Sequence, residues 1–146
     1  MSDIVLFICT GNYYRSRFSE LLFNTLAPQY GVNTRAVSRG LITELISVEM
    51  GSMSPHAVKG LKARKVALDA VLRRPIQLQE SDLVEAAVVI AIDEWEHRPM
   101  ISQRFPHWVD RVRYWQVADI QDLDPEVALF ALETRVRALL GELKHE

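Results

Sequence analysis

The chain has a single cysteine, Cys9, in 146 residues. A lone cysteine excludes an internal disulfide, and with it the zinc sites that need two or more thiolates. It also makes a reducing compartment, the cytoplasm, the expected location. Long apolar runs are missing as well. No stretch approaches the ~20 apolar residues of a membrane span, so no membrane partner is expected. The apolar segment at residues 4–9 lacks the basic region and small-residue cleavage site of a signal peptide, and reads as a buried strand. Excess charge of either sign is absent. The formal net charge of -2 gives no field that would draw nucleic acid or anionic lipid. Glycine and proline, six of each, form no linker, repeat or low-complexity tract. What remains is a globular composition, 49% hydrophobic and 25% charged, in a length that suits one domain over residues 1–146.

Four segments read as strands. Residues 3–9 and 86–92 are continuous apolar runs, as in strands buried on both faces of a parallel sheet. Residues 32–38 and 111–117 alternate. Helical spacing marks residues 16–27, with Phe18, Leu21, Leu22 and Leu26 on one face and Pro28 just beyond. The clearest helix covers residues 124–143, with Pro125 near its start. Ser54 and Pro55 predict a helix start, Ser81 another cap, and Asp93 the entry to a further helix. Residues 38–57 read mostly as loop, with a short helix near residues 43–48. Strands separated by helices predict an open, mainly parallel four-stranded α/β sheet flanked by helices. Its functional edge lies at the C-terminal strand ends. Cys9, Ser38, Asp93 and Asp119 fall at or just past those ends and are expected on one rim.

The segment "CTGNYYRS", residues 9–16, joins the first strand to the first helix. Such a loop, lying over a helix N-terminus, aims backbone N–H groups and the positive end of the helix dipole at one spot. This predicts a phosphate-binding loop in which Thr10, Gly11, Asn12, Tyr13 and Tyr14 surround a phosphoryl group or similar oxyanion. Gly11 permits close backbone approach. Asn12 tolerates left-handed dihedrals and can brace the loop. Arg15 offers a planar fork for two oxygens. Cys9 lies at the floor of this cup, where a helix N-terminus and an arginine favour a thiolate. Ser16 is placed to donate a hydrogen bond to it. A bound phosphate above a thiolate predicts in-line nucleophilic attack at phosphorus.

Residues 5–20, "VLFICTGNYYRSRFSE", resemble the opening of the low-molecular-weight protein tyrosine phosphatases, whose signature is C-x5-R-S directly after the first strand. The likeness extends more weakly over residues 36–40, 82–101 and 114–120. It implies that Cys9 attacks phosphorus to form a phosphocysteine, and that Arg15 and the loop amides hold the equatorial oxygens. It further implies that an aspartate protonates the leaving oxygen and then activates water. No metal or organic cofactor is implied, because the cup supplies the positive charge. The substrate implied is a phosphorylated protein or a small phosphomonoester.

The chain departs from the family pattern in several places. A second cysteine, often present in the family's loop, is missing, so oxidation of Cys9 has no internal partner. Tyr13 and Tyr14 stand where smaller residues are usual. The Asp-Pro-Tyr motif of the acid is replaced by "VADIQDLDPEV", residues 117–127. Asp119 keeps the spacing from the fourth strand and is the expected acid. Asp124 precedes a proline but also reads as an ordinary helix start. Asp93 is a candidate partner for Arg15 or an N-cap. Ser38 is a candidate loop brace. Glu94 and His97 read as an exposed helical pair, and residues 73–75 as a solvated turn. His56, His107 and His145 show no metal-ligand spacing. The leading expectation is a phosphomonoester hydrolase, most simply a protein tyrosine phosphatase. The alternatives are an oxyanion or phospholigand binder with little turnover, and an arsenate reductase using an external thiol.

Overall fold

The computed structural model describes residues 3–144; His145 lies outside them. Strands β1 (Ile4–Cys9), β2 (Arg35–Gly40), β3 (Val88–Ala91) and β4 (Arg113–Tyr114) form one open sheet in the order β2-β1-β3-β4. Every neighbouring pair is parallel. Helices α1 (Arg15–Leu26), α2 (Pro55–Ala63), α3 (Glu80–Glu85), α4 (Glu94–Arg104) and α5 (Pro125–Lys144) flank it. The α/β architecture is the one expected from the alternation of apolar runs and helical spacings.

Strand β1 lies inside the sheet, and Val5 to Cys9 are all buried. Side chains alternate across a strand, so one strand serves two cores. Val5, Phe7 and Cys9 face Phe18 and Leu22 of α1, Leu61 of α2, and Leu132 and Val136 of α5. Leu6 and Ile8 face Leu83 of α3 and Ile101 of α4. Phe7 meets the rings of Phe23 and Trp115 at 6.0 and 5.5 Å between centroids, which places Trp115 in the core.

The elements differ from the expectations at their ends. Strand β4 has two residues, although alternation continues to residue 117. Past Tyr114 the chain bends: Trp115 and Val117 still donate to Ala91 and Ile92, while Glu94 donates back to Trp115. The alternation there marks burial rather than strand length. Helix α3 is capped by Gln79, which forms a reciprocal capping box with Asp82, and Ser81 lies inside the helix. Ser54 does cap α2, accepting from the His56 N–H at 3.2 Å, with Pro55 in the first helical position. Between β2 and α2 the chain makes two short 3-10 turns, Thr43–Leu45 and Val48–Met50. Among the described residues no helix is long and apolar enough to cross a membrane.

Candidate active site

Cys9 ends β1 and Arg15 begins α1, so residues 10–14 form the whole connection. Its carbonyl groups are tied outward. Thr10 O accepts from Ile42 N–H at 2.7 Å, Tyr13 O from Ser54 N–H at 2.8 Å, and Tyr14 O from Phe18 N–H at 3.0 Å. Asn12 O accepts from Arg17, which also donates to Ser52 O at 2.9 Å. In a planar trans peptide the N–H points opposite to the C=O. The N–H groups of Gly11, Tyr13, Tyr14 and Arg15 therefore point away from these flanking partners. Burial, with the Arg73 charge next, lowers the Arg17 pKa to about 10.

Asn12 braces the loop as its sequence position suggested. It has a positive φ of 54°. Its Nδ2 donates to Ser16 Oγ at 2.8 Å and to Ser38 Oγ at 2.9 Å. Its Oδ1 accepts from Arg73 Nη1 and from the Ile76 N–H, both at 3.0 Å. Ser16 Oγ lies 2.9 Å from Cys9 Sγ. Because Ser16 already accepts from Asn12, its own O–H proton is available to the sulfur. A Cβ on Gly11 would press on Ile46 Cδ1 and Cγ1, at 2.8 and 3.0 Å. Gly40 permits a second close approach, of backbone to backbone. A Cβ on Gly40 would lie 2.9 Å from both Asn12 N and Gly11 C, so the end of β2 must be bare for the loop to pass.

Arg15 is nearly fully buried. Its Nη1 donates to Val117 O at 2.9 Å, its Nη2 to Glu96 Oε2 at 2.7 Å, and its Nε lies 3.7 Å from Asp119 Oδ1. Burial opposes the Arg15 charge, yet the Glu96 hydrogen bond and the surrounding negative groups raise its pKa above the ordinary value. Glu96 also accepts from Thr10 Oγ1 and lies 3.2 Å from His97 Nε2. These hydrogen bonds outweigh burial and hold its carboxyl far below the usual carboxylate range. His97 is fully buried, and burial pushes its pKa down. Its Nδ1 accepts from the Asp93 N–H at 3.0 Å, so the ring proton sits on Nε2, facing Thr10 Oγ1 at 3.1 Å.

Cys9, Gly11, Tyr13, Tyr14, Arg15 and Asp119 line one cavity of about 380 Å³, together with the apolar Leu45, Ile46, Met50 and Ile120. Tyr13 Oη donates to Met50 O at 2.7 Å. The Tyr14 hydroxyl is the buried side-chain polar atom that has no hydrogen-bond partner among the described residues. Burial first, and the Asp119 charge second, push its pKa up to about 12. Asp124 is elsewhere. Its carboxylate accepts from the Glu126 N–H at 2.9 Å at the start of α5, in a separate groove between α2 and α5.

Several sequence expectations are corrected here. Asp93 stands at the start of α4 without a side-chain cap, and the partner of Arg15 on that turn is Glu96. Glu94 pairs with Arg98 at 3.1 Å, but His97 is interior rather than exposed. Residues 73–75 are solvated only in part: Arg74 is exposed, but both arginines are tied to specific partners. Arg73 bonds Asn12, Glu20 Oε1 at 2.9 Å and Ser38 Oγ at 3.0 Å, and Arg74 donates to Gly51 O and Ile46 O. Ser38 is a loop brace, fully buried and donating to Glu20 at 2.6 Å. Glu96 and Gly40 are not singled out in the sequence, and His97 and Arg73 read there only as surface residues. The one signal for Glu96 was its place in an acidic turn just past a buried strand, at the functional edge of the sheet.

The model of the family described as low molecular weight phosphotyrosine protein phosphatase matches residues 4–146. A protein-arginine-phosphatase of Bacillus subtilis (strain 168) is 31% identical over 108 residues, covering 74% of this chain and 67% of that protein. The YwlE arginine phosphatase from Geobacillus stearothermophilus superposes with a TM-score of 0.75 at 26% identity, covering 97% of this chain and 93% of the other. Vibrio vulnificus Wzb in complex with benzylphosphonate shares the fold at a TM-score of 0.79 and 17% identity, over 98% of this chain and 100% of that one.

Proposed function

Because the chain belongs to the low molecular weight phosphotyrosine protein phosphatase family, and so is a cysteine-dependent phosphatase acting on phosphoproteins, we propose that Cys9 is its nucleophile and Asp119 its general acid. The observation that carries this assignment is the shared cavity: Cys9 Sγ beside the Ser16 hydroxyl, with Arg15 and Asp119 on the same wall. The Cys9 thiolate attacks phosphorus as the bond to the leaving atom breaks. Asp119 gives that atom its proton. Water then attacks the phosphocysteine, Asp119 takes the water's proton, and the thiolate is released with phosphate. The inward loop amides and the Nε edge of Arg15 hold the equatorial oxygens throughout. Thr10, Gly11, Asn12, Tyr13, Tyr14 and Ser16 form and support the oxyanion cup. The chain acts as one domain in a reducing cytoplasm, where Cys9 stays a thiol.

For the phosphorylated residue, the first reading is tyrosine. Tyr13, Tyr14 and His56 put three rings on the cavity wall, and Tyr14 and His56 meet edge to face at 6.4 Å. The second reading is phosphoarginine, favoured by the named activity of the Bacillus and Geobacillus relatives. The deciding experiment compares phosphate release from matched phosphotyrosine and phosphoarginine peptides, with Cys9→Ser as control. Faster release from one peptide assigns the substrate. Release that survives Cys9→Ser removes the nucleophile assignment. Oxyanion binding by folded wild type with no release from either peptide favours the binding-protein alternative.

A further inference from the structure

We infer that Glu96 is a positioning residue for the phosphate loop, closing it from the side of α4 by joining its first residue to the first residue of α1. The inference rests on the reading of Arg15 as the phosphoryl-binding arginine. Thr10 opens the loop and Arg15 follows its end, yet both side chains donate to the same atom, Glu96 Oε2. The first turn of α4 thus spans the mouth of the connection between β1 and α1.

The geometry selects which edge of Arg15 is offered to a substrate. Val117 O takes Nη1 and Glu96 takes Nη2, so the outer edge of the guanidinium is occupied by protein. The Nε edge faces Asp119 at 3.7 Å on the cavity wall. Two fixed anchors on a planar group leave it no rotation about its long stem, and the fork meets the phosphoryl oxygens already oriented. Glu96 is itself oriented. His97 accepts from the Asp93 N–H through Nδ1 and presents its Nε2 proton to Thr10 and Glu96. A fully buried neutral imidazole with both nitrogens in use locks the turn, the same support that second partners give to ligating groups in metal sites.

Two substitutions separate positioning from charge. Glu96→Gln keeps the reach and an acceptor oxygen but loses the charge. Glu96→Asp keeps the charge but is one methylene short. Vanadate affinity by calorimetry, kcat and KM for p-nitrophenyl phosphate, and Tm are measured for wild type and both variants. Positioning predicts that Glu96→Gln stays within about 3-fold of wild type, while Glu96→Asp loses about 10-fold or more in vanadate affinity and in kcat/KM. A structural role alone lowers Tm without that order. The inference is overturned if Glu96→Asp equals or exceeds Glu96→Gln, if both stay within about 2-fold of wild type, or if both fall equally. Vanadate binding needs no turnover. A wild type that binds vanadate but releases phosphate independently of Cys9 would therefore sink the catalytic assignment while leaving the Glu96 comparison readable.

Discussion

At the scale of single residues, two aspartates five positions apart in the sequence have different surroundings. Asp119 lines the cavity with Cys9 and Arg15, whereas Asp124 caps α5. Asp119→Ala is expected to lower kcat by about 10²–10³-fold, the usual loss of a general acid, with little change in Tm. Asp124→Ala is expected to do the reverse. It removes an N-cap worth about 1 kcal/mol and leaves kcat near wild type. Steady-state rates beside thermal melts of the two variants check both. A larger kcat loss in Asp124→Ala would move the acid role. Gly40→Ala tests the loop's backbone contact. Its Cβ would press on Asn12 N and Gly11 C, so a destabilisation of roughly 1–3 kcal/mol is expected together with lost activity. A variant with wild-type melt and rate would show that the loop has room to shift.

At the scale of elements, the loop between β1 and α1 is held from three sides: by β2 through Ser38, by α4 through Glu96, and by the strap at residues 73–78. The strap has no regular structure, yet its hydrogen bonds are specific. Ile76 N–H and Arg73 reach Asn12, Gly40 N–H donates to Ile76 O, and Leu78 N–H donates to Gly40 O. Arg73→Ala would take one donor each from Asn12 Oδ1, Ser38 Oγ and Glu20, leaving them the Ile76 N–H, Asn12 Nδ2 and Ser38 hydroxyl respectively. The expected cost is roughly 1–3 kcal/mol, read as a lower urea midpoint, with weaker phosphate binding because Asn12 loses a tether. An unchanged midpoint and phosphate affinity would reduce the strap to a connector. The strap was illegible in the sequence for a physical reason. A segment without periodicity carries no record of its partners, and an arginine pair beside a proline resembles any surface turn.

At the scale of the whole molecule, a buried neutral histidine ties stability to pH. His97 has its pKa below the ordinary 6.5 because burial, with the Arg15 charge, outweighs the opposing pull of Glu96. As pH falls through 6.5 the unfolded chain takes up a proton that the folded chain refuses, so stability present at neutral pH is lost on the acid side. Glu96, also depressed, adds a second loss as pH falls below its usual 4.5. Urea midpoints at about pH 7.5 and about pH 5.5 should differ in wild type and converge in His97→Gln. An equal drop in both proteins would assign the effect to other groups. Patterning in the chain itself determined the open parallel α/β sheet, the loop between Cys9 and Arg15, the Asn12 and Ser16 contacts and the cap of α2. Each depends on neighbours in sequence: apolar runs, periodicity, and residue types at a strand-to-helix turn. The tertiary structure alone decided that Glu96 rather than Asp93 holds Arg15, that His97 is interior, and that Gly40 and Arg73 press on the loop. Those contacts join residues dozens of positions apart. They exist because parallel strands bring their C-terminal ends to one edge, which no local pattern records.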